Sequence, residues 1–417
     1  MEDKWIQLED RYCAQDALLL PIVITKGKGV WVWDDKKNRY LDMIGARSGL
    51  NFGYSHPKFL KALDLQTKKL SLTDRSVYND KLAFFLQQIC KVTGMDRAIS
   101  LSSGSEAVEM AIKTARKWGY QYKAIQPDRA EIIVADGNYH GNTITLLGLS
   151  ENADHQSHGP FTPGFKRIPF GSAEALEFAI NPNTCAFLVE PMQGQAGIKM
   201  APKGWLKKVK AICKKHDILL ILDEVQTGLC RTGKEFAFQH EKVEPDGLIL
   251  GKSLGGGILP SSCFLGKQEL MEWVEPSHHP STFGGNCLTA AVGIEVLKVM
   301  REGKYAQKSE TLGRYFLEEL KKIESPYLLD VRGKGLWIGI DINPKKTRAI
   351  HVCEKLLERG ILAKECHEMT IPLMPPLTIT KAEIDWAVER FKEVLESSIL
   401  PRHKRGERRQ NRLRIAS

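Results

Sequence analysis

The segment ILLILDEVQTGLCRTGKEFAFQHEKVEPDGLILGKSLGGG, residues 218–257, holds two short apolar runs that each end on a charged residue. Continuous apolar runs of this length, with no period-two alternation, read as strands buried on both faces of a sheet. The first run ends at Asp223, which places a carboxylate at the carboxyl end of a central strand, the position where open α/β sheets bind ligands. A buried carboxylate is costly unless it meets a cation. The second run leads into Lys252, surrounded by glycines.

GLILGKSLGGG (247–257) invites comparison with a phosphate cradle, G-x-x-x-x-G-K-[ST]. That motif needs glycine five positions before Gly251, where Asp246 stands, and Gly247 is one position out. It also needs a helix straight after the lysine, where Gly255, Gly256 and Gly257 follow. A nucleotide hydrolase is therefore disfavoured. A protonated ring nitrogen would satisfy Asp223, and a lysine amine nearby then points to a pyridine aldehyde held as a Schiff base. On this reading the glycines after Lys252 leave room for such a cofactor to tilt.

Working outward, short apolar runs alternate with amphipathic helices: RAISL (97–101), a helix from Ser103, EIIVAD (131–136), CAFLVEP (185–191) and the helix GWLKKVKAICKKHD (204–217) precede the two strands above. Strand–helix repetition predicts a mainly parallel sheet covered on both faces. Ser103 and Glu106 form a capping box, and Val108, Ala111, Ile112 and Ala115 share one face of the helix that follows. Backbone N–H groups at such a helix start, with Gly104 in the first turn, can bind a phosphate without any lysine. GVWVWDDKKNRYLDM (29–43) reads as a hairpin and HPKFLKALDLQTKKL (56–70) as a helix. After residue 296 the rhythm changes to that of an α+β unit, with strands in YLLDVRGKGLWIGIDI and a last helix in AEIDWAVERFKEVLESSI.

A chain of 417 residues with 42% hydrophobic and 26% charged residues has the composition of an ordinary globular protein. Nine cysteines without a C-x-x-C pair argue against a disulfide framework or a zinc ribbon, and for a reducing, cytoplasmic setting. The run ALLLPIVI (17–24) is too short and too poorly flanked for a signal peptide or a membrane span. Of the formal net charge of +10, the tail RHKRGERRQNRLR (402–414) carries +6, which reads as a solvated, disordered terminus and not a nucleic-acid footprint. His155, His158, His278 and His279 lack the spacing of hydrolytic metal sites, so no metal is expected.

LDEVQTGLCRTG (222–233) and PDGLILGKSLGGG (245–257), with Lys252 lying 29 residues after Asp223, resemble the signature of the class III, pyridoxal phosphate-dependent aminotransferases. The likeness runs from about Gly27 to Leu377 through DGNYHGNT (136–143), EPMQGQAG (190–197), HPSTFGGN (279–286) and MPPL (374–377). TDRSVYND (73–80) and ARKWGY (115–120) make the chain most similar to ornithine and acetylornithine aminotransferases. The resemblance implies an α/β fold of type I: a large domain (51–295) with a mainly parallel seven-stranded sheet, a smaller α+β domain (296–400), an N-terminal segment (1–50) packed with it, and the basic tail (401–417). It implies Lys252 as the Schiff-base lysine and proton shuttle, and Asp223 as partner of the pyridine nitrogen, which makes the ring an electron sink. Cofactor contacts would further come from Ser103, Gly104, Ser105, Tyr139, His140, Glu190 and Gln226. Thr282 would reach the phosphate of a neighbouring subunit, which makes a homodimer with shared active sites. An amine or amino acid and a 2-oxo acid are the expected small-molecule partners.

The departures concern the substrate. Ornithine-type enzymes carry arginines where this chain has Asn142 and Pro372, and a glutamate where it has Gln195. Arg47 stands where they place an aromatic residue; it is expected either to bind a substrate carboxylate or phosphate, or to pair with a structural acid. These changes keep open another reaction of the class, such as epimerisation, decarboxylation or phosphate elimination, and a cofactor-binding protein that has lost catalysis.

Overall fold

The computed structural model describes residues 4–14, 19–150, 157–276, 279, 281–397 and 399. The basic tail, His155 and His278 lie outside them. Its strands are β1 (Ile24–Lys28), β2 (Trp31–Asp34), β3 (Arg39–Asp42), β4 (Arg97–Leu101), β5 (Glu131–Ala135), β6 (Phe165–Ile168), β7 (Thr184–Val189), β8 (Met192–Gln193), β9 (Lys199–Met200), β10 (Leu219–Asp223), β11 (Gly247–Leu250), β12 (Ser262–Gly266), β13 (Leu328–Gly333), β14 (Ile338–Ile342), β15 (Ile361–Leu362) and β16 (Thr370–Leu373).

The apolar runs form the middle of a seven-stranded sheet of order β4-β12-β11-β10-β7-β5-β6. Every residue of β7, β10, β11 and β12 is buried, and alternate side chains enter two separate cores. Ile133, Phe187, Leu220 and Leu248 join one, and Ile132, Leu188, Ile221 and Ile249 the other. The second core is closed by the helix Gly104–Gln121, whose Ala107, Ala111 and Ile112 pack there. Neighbours are parallel except at β12, which runs antiparallel to both β11 and β4. The connection from β11 to β12 is too short for a crossover, which needs a dozen residues or more, so the chain returns in the opposite sense.

The expected hairpin is present as β2 and β3, preceded by β1. Asp34 turns it, accepting the Asn38 N–H at 2.7 Å. The expected helix after His56 spans Pro57–Thr67, and a further helix, Asp80–Thr93, is capped by Asn79. In the C-terminal part β13, β14 and β16 form an antiparallel sheet, while β15 pairs in parallel with β3 and ties the N-terminal strands to it. Pro372 lies buried on β16, an edge strand, where a residue without an N–H is tolerated. Among the described residues no helix is long and apolar enough to cross a membrane, and no group of three or more metal-ligating side chains is assembled.

Candidate active site

The parallel strands deliver their following residues to one edge of the sheet. β4 leads to Ser103 and the helix it caps, β5 to Tyr139 and His140, β7 to Glu190, β10 ends on Asp223, and β11 leads through Gly251 to Lys252. A single cavity at this edge is lined by Gly104, Ser105, Tyr139, His140, Glu190, Asp223, Gln226 and Lys252. Gly141, Met192, Val225 and Thr227 complete its wall. Residues picked from five separate motifs thus meet in one place.

Asp223 is buried and already partnered. Its Oδ2 lies 2.7 Å from His140 Nδ1 and its Oδ1 accepts the Val225 N–H at 3.0 Å. Burial disfavours a charged imidazole, but the hydrogen bond and charge of Asp223, with Glu190 behind them, raise the His140 pKa above its usual value. Sequence alone offers Asp223 only a ring nitrogen; His140 is a protein partner that nothing in DGNYHGNT marks as turning inward. Glu190 is pushed up to about 7 by burial, opposed by the charge of His140. Its Oε2 accepts the Tyr139 N–H at 3.2 Å.

Lys252 adopts φ +50°, an uncommon value for a side chain of its size, at the end of β11. Burial brings its pKa down to about 8, against the opposing charges of Asp223 and Glu190. The glycines that follow are closely packed. A Cβ on Gly256 would lie 2.9 Å from Phe59, and one on Gly257 2.6 Å from Leu50, and both residues have positive φ.

At the start of the helix Gly104–Gln121, Ser103 Oγ accepts the Glu106 N–H and Glu106 Oε2 accepts that of Ser103, both at 3.2 Å. Ser103 is thereby occupied as a cap and does not line the cavity. Gly104 and Ser105 do line it, and their N–H groups have no acceptor among the described residues. Gly141, with φ +137°, presses on the same spot: a Cβ there would lie 2.2 Å from Ser105 Oγ. Free N–H groups at a positive helix end, a carboxylate at the cavity floor and an amine of lowered pKa match the phosphate, ring nitrogen and aldehyde of pyridoxal phosphate.

Thr282 is exposed and away from this cavity, and Asn142 is exposed beside Gly141. Arg47 and Gln195 are joined: Arg47 Nη1 donates to Gln195 Oε1 at 2.8 Å. Of the two roles open to Arg47, pairing with a structural acid is not observed among the described residues; its partners there are the neutral Gln195 amide and the Cys366 thiol.

The aminotransferase class III family model matches residues 12–395. An ornithine aminotransferase of Geobacillus sp. is 46% identical over 390 residues, spanning 93% of this chain and 97% of the relative. Ornithine aminotransferase 2 of Staphylococcus aureus is 45% identical, spanning 94% and 99%. Among solved structures, the ornithine aminotransferase of Toxoplasma gondii superposes with a TM-score of 0.93 at 39% identity, covering 95% of each chain. The acetylornithine aminotransferase of Elizabethkingia anophelis superposes with a TM-score of 0.85 at 40% identity, covering 94% and 98%. The chain belongs to the class III aminotransferases, pyridoxal phosphate-dependent enzymes that transfer an amino group.

Proposed function

We propose that this aminotransferase takes its amino group from an ornithine-like amino acid or ω-amine and gives it to a 2-oxo acid, with Lys252 as the residue that holds the cofactor and moves the proton. The observation that carries this reading is the meeting of Lys252, with its lowered pKa, and the Asp223–His140 pair in one cavity. When bound, pyridoxal phosphate supplies an electron sink for the electrons of a cleaved Cα–H bond.

The chain's own groups divide the remaining work. The neutral amine of Lys252 is both nucleophile and proton carrier, and burial keeps a useful fraction of it neutral near pH 7. Asp223, held by His140 and the Val225 N–H, would supply the negative charge that partners the ring nitrogen. The N–H groups of Gly104 and Ser105 would hold the phosphate, with Tyr139 against the ring and Gln226 toward its hydroxyl. Glu190 supports Tyr139 and His140 from below.

The active unit on this reading is a homodimer in the cytoplasm. Support comes from exposed apolar side chains that a lone subunit would leave in water: Leu65 (59% exposed), Val77 (52%), Tyr78 (102%) and, beside Thr282, Phe283 (61%). Thr282 then serves the partner's cavity. The division into units 51–295 and 296–400 places every residue that lines the cavity, Gly104 to Lys252, in the first unit.

The test is to incubate the yellow, cofactor-loaded protein with ornithine and a 2-oxo acid and to quantify the amino acid formed. Product equal to the 2-oxo acid consumed, absent with Lys252→Ala, is expected. A loaded protein that converts no ω-amino donor contradicts the substrate assignment.

A further inference from the structure

Arg47 sits on backbone that is costly to form, in a turn held against the residue that follows Lys252. Gly45, Ala46, Arg47 and Ser48 have φ of +53°, +47°, +53° and +71° in succession. Left-handed backbone is disfavoured for residues other than glycine, and such strain persists only where surrounding contacts over-determine it. They do so here. Asp42 Oδ1 accepts the N–H groups of Ile44 and Gly45 at 2.8 and 3.0 Å. Gly45 lies so close to the Met374 carbonyl that a Cβ would be 2.0 Å from its oxygen. Ser253, next to Lys252, donates its hydroxyl to the Ser48 carbonyl at 2.6 Å and accepts the Asn51 N–H at 2.9 Å.

The partner of Arg47 is fixed as well. The Gln195 carbonyl accepts from the Cys366 thiol at 2.9 Å and contacts His367 Nε2 at 2.5 Å. The adjoining Gly194 abuts the cavity-lining Gln226, whose Oε1 would sit 1.8 Å from a Cβ at position 194. The Arg47–Gln195 pair therefore lies behind the cavity-lining Gln226, and the charge of Arg47 is felt at Lys252. An amide oxygen orients the guanidinium without neutralising it, and no carboxylate lies within ion-pair distance of Arg47 among the described residues. The other cations of the neighbourhood are used. Arg332 is paired with Asp330 and Asp341, and Arg231 is enclosed by Asn51 and two backbone carbonyls. Asn142, Gln195 and Pro372 carry no charge.

We infer that Arg47, held by Gln195, is the single anchor for a substrate carboxylate and serves donor and acceptor in turn, so that the enzyme recognises one carboxylate per substrate. This inference rests on the transamination reading above. A carboxylate is favoured over a phosphate because one positive charge matches a monoanion, and Glu190 and Asp223 behind it would repel a dianion. Among the described residues around Arg47, a second carboxylate on an acceptor finds no unpaired cation of its own.

Matched substrates test this with the loaded enzyme. Ornithine and 1,4-diaminobutane differ only by the carboxylate; 2-oxoglutarate and 2-oxopentanoate differ only by the distal one. In the wild-type protein the two acceptors should have kcat/KM within about tenfold of each other. Arg47→Gln should lower the ornithine to diaminobutane ratio by about ten- to a hundredfold. Gln195→Glu, which keeps Arg47 but places a charge against it, should shift the ratio the same way. If Arg47 only held its turn, Gln195→Glu would leave the ratio where it was. A strong preference for 2-oxoglutarate, or a ratio unmoved by both variants in a protein that is yellow and turns over, overturns the inference. A protein without a cofactor band or without turnover defeats the transamination reading instead.

Discussion

The Ser253 hydroxyl donates to the Ser48 carbonyl at 2.6 Å, linking the residue after Lys252 to the residue after Arg47. One side chain thus sets the spacing between the reactive amine and the guanidinium, although the two lie some two hundred residues apart in sequence. Ser253→Ala leaves the Asn51 N–H without its acceptor and the left-handed turn without its anchor. A loss of about 1–3 kcal/mol in unfolding free energy is expected, with a raised KM for carboxylate substrates and a retained cofactor band. Denaturant melts and steady-state kinetics on the same preparation check both.

Gly141 is where cofactor affinity is most exposed to a single methyl group. An added Cβ would lie 2.2 Å from Ser105 Oγ and 2.7 Å from Leu146, at a φ of +137° that alanine resists. Gly141→Ala should displace Ser105 from the helix start and weaken pyridoxal phosphate binding by at least about tenfold. Titration of cofactor-free protein followed by absorbance measures it.

Cofactor loading should depend on pH through Lys252. Its pKa is lowered to about 8, chiefly by burial, so the neutral amine is about a tenth of the total at pH 7 and nearly all of it by pH 9. The rate at which cofactor-free protein takes up pyridoxal phosphate should rise through pH 8 and level off, where an ordinary lysine would still be rising at pH 10. Asp223 opposes the shift, so Asp223→Asn should move the midpoint to lower pH.

Arg231 is fully buried and donates to Asn51 Oδ1 at 2.6 Å and to the carbonyls of Leu336 and Pro375 at 2.8 and 2.7 Å. It joins the N-terminal segment and the C-terminal part to the loop after β10. Arg231→Met strands these acceptors and should cost about 3–5 kcal/mol, visible as a lowered thermal midpoint of the cofactor-free protein.

The sheet was legible because its central strands are unbroken apolar runs, and the cavity at its edge because Asp223 and Lys252 follow two of those runs. Capping by Ser103 was legible from S-x-x-E, but not that the cap would remove Ser103 from the cavity, which depends on where its hydroxyl turns. His140 as the partner of Asp223, Gln195 as the partner of Arg47 and Ser253 as their brace join residues 83, 148 and 205 positions apart. No local spacing encodes such pairs; packing of the sheet edge decides them. The left-handed run at Gly45–Ser48 was equally hidden, since three of its four residues are not glycine.

The central claim is that Lys252 carries the cofactor. Reduction of the yellow protein with borohydride converts a carbon–nitrogen double bond to the cofactor into a stable amine, and mass spectrometry of the digested protein then locates it. The pyridoxyl phosphate group is expected on the peptide containing Lys252 and nowhere else. A modified lysine elsewhere, or a yellow protein whose Lys252 peptide remains unmodified after reduction, would contradict the assignment.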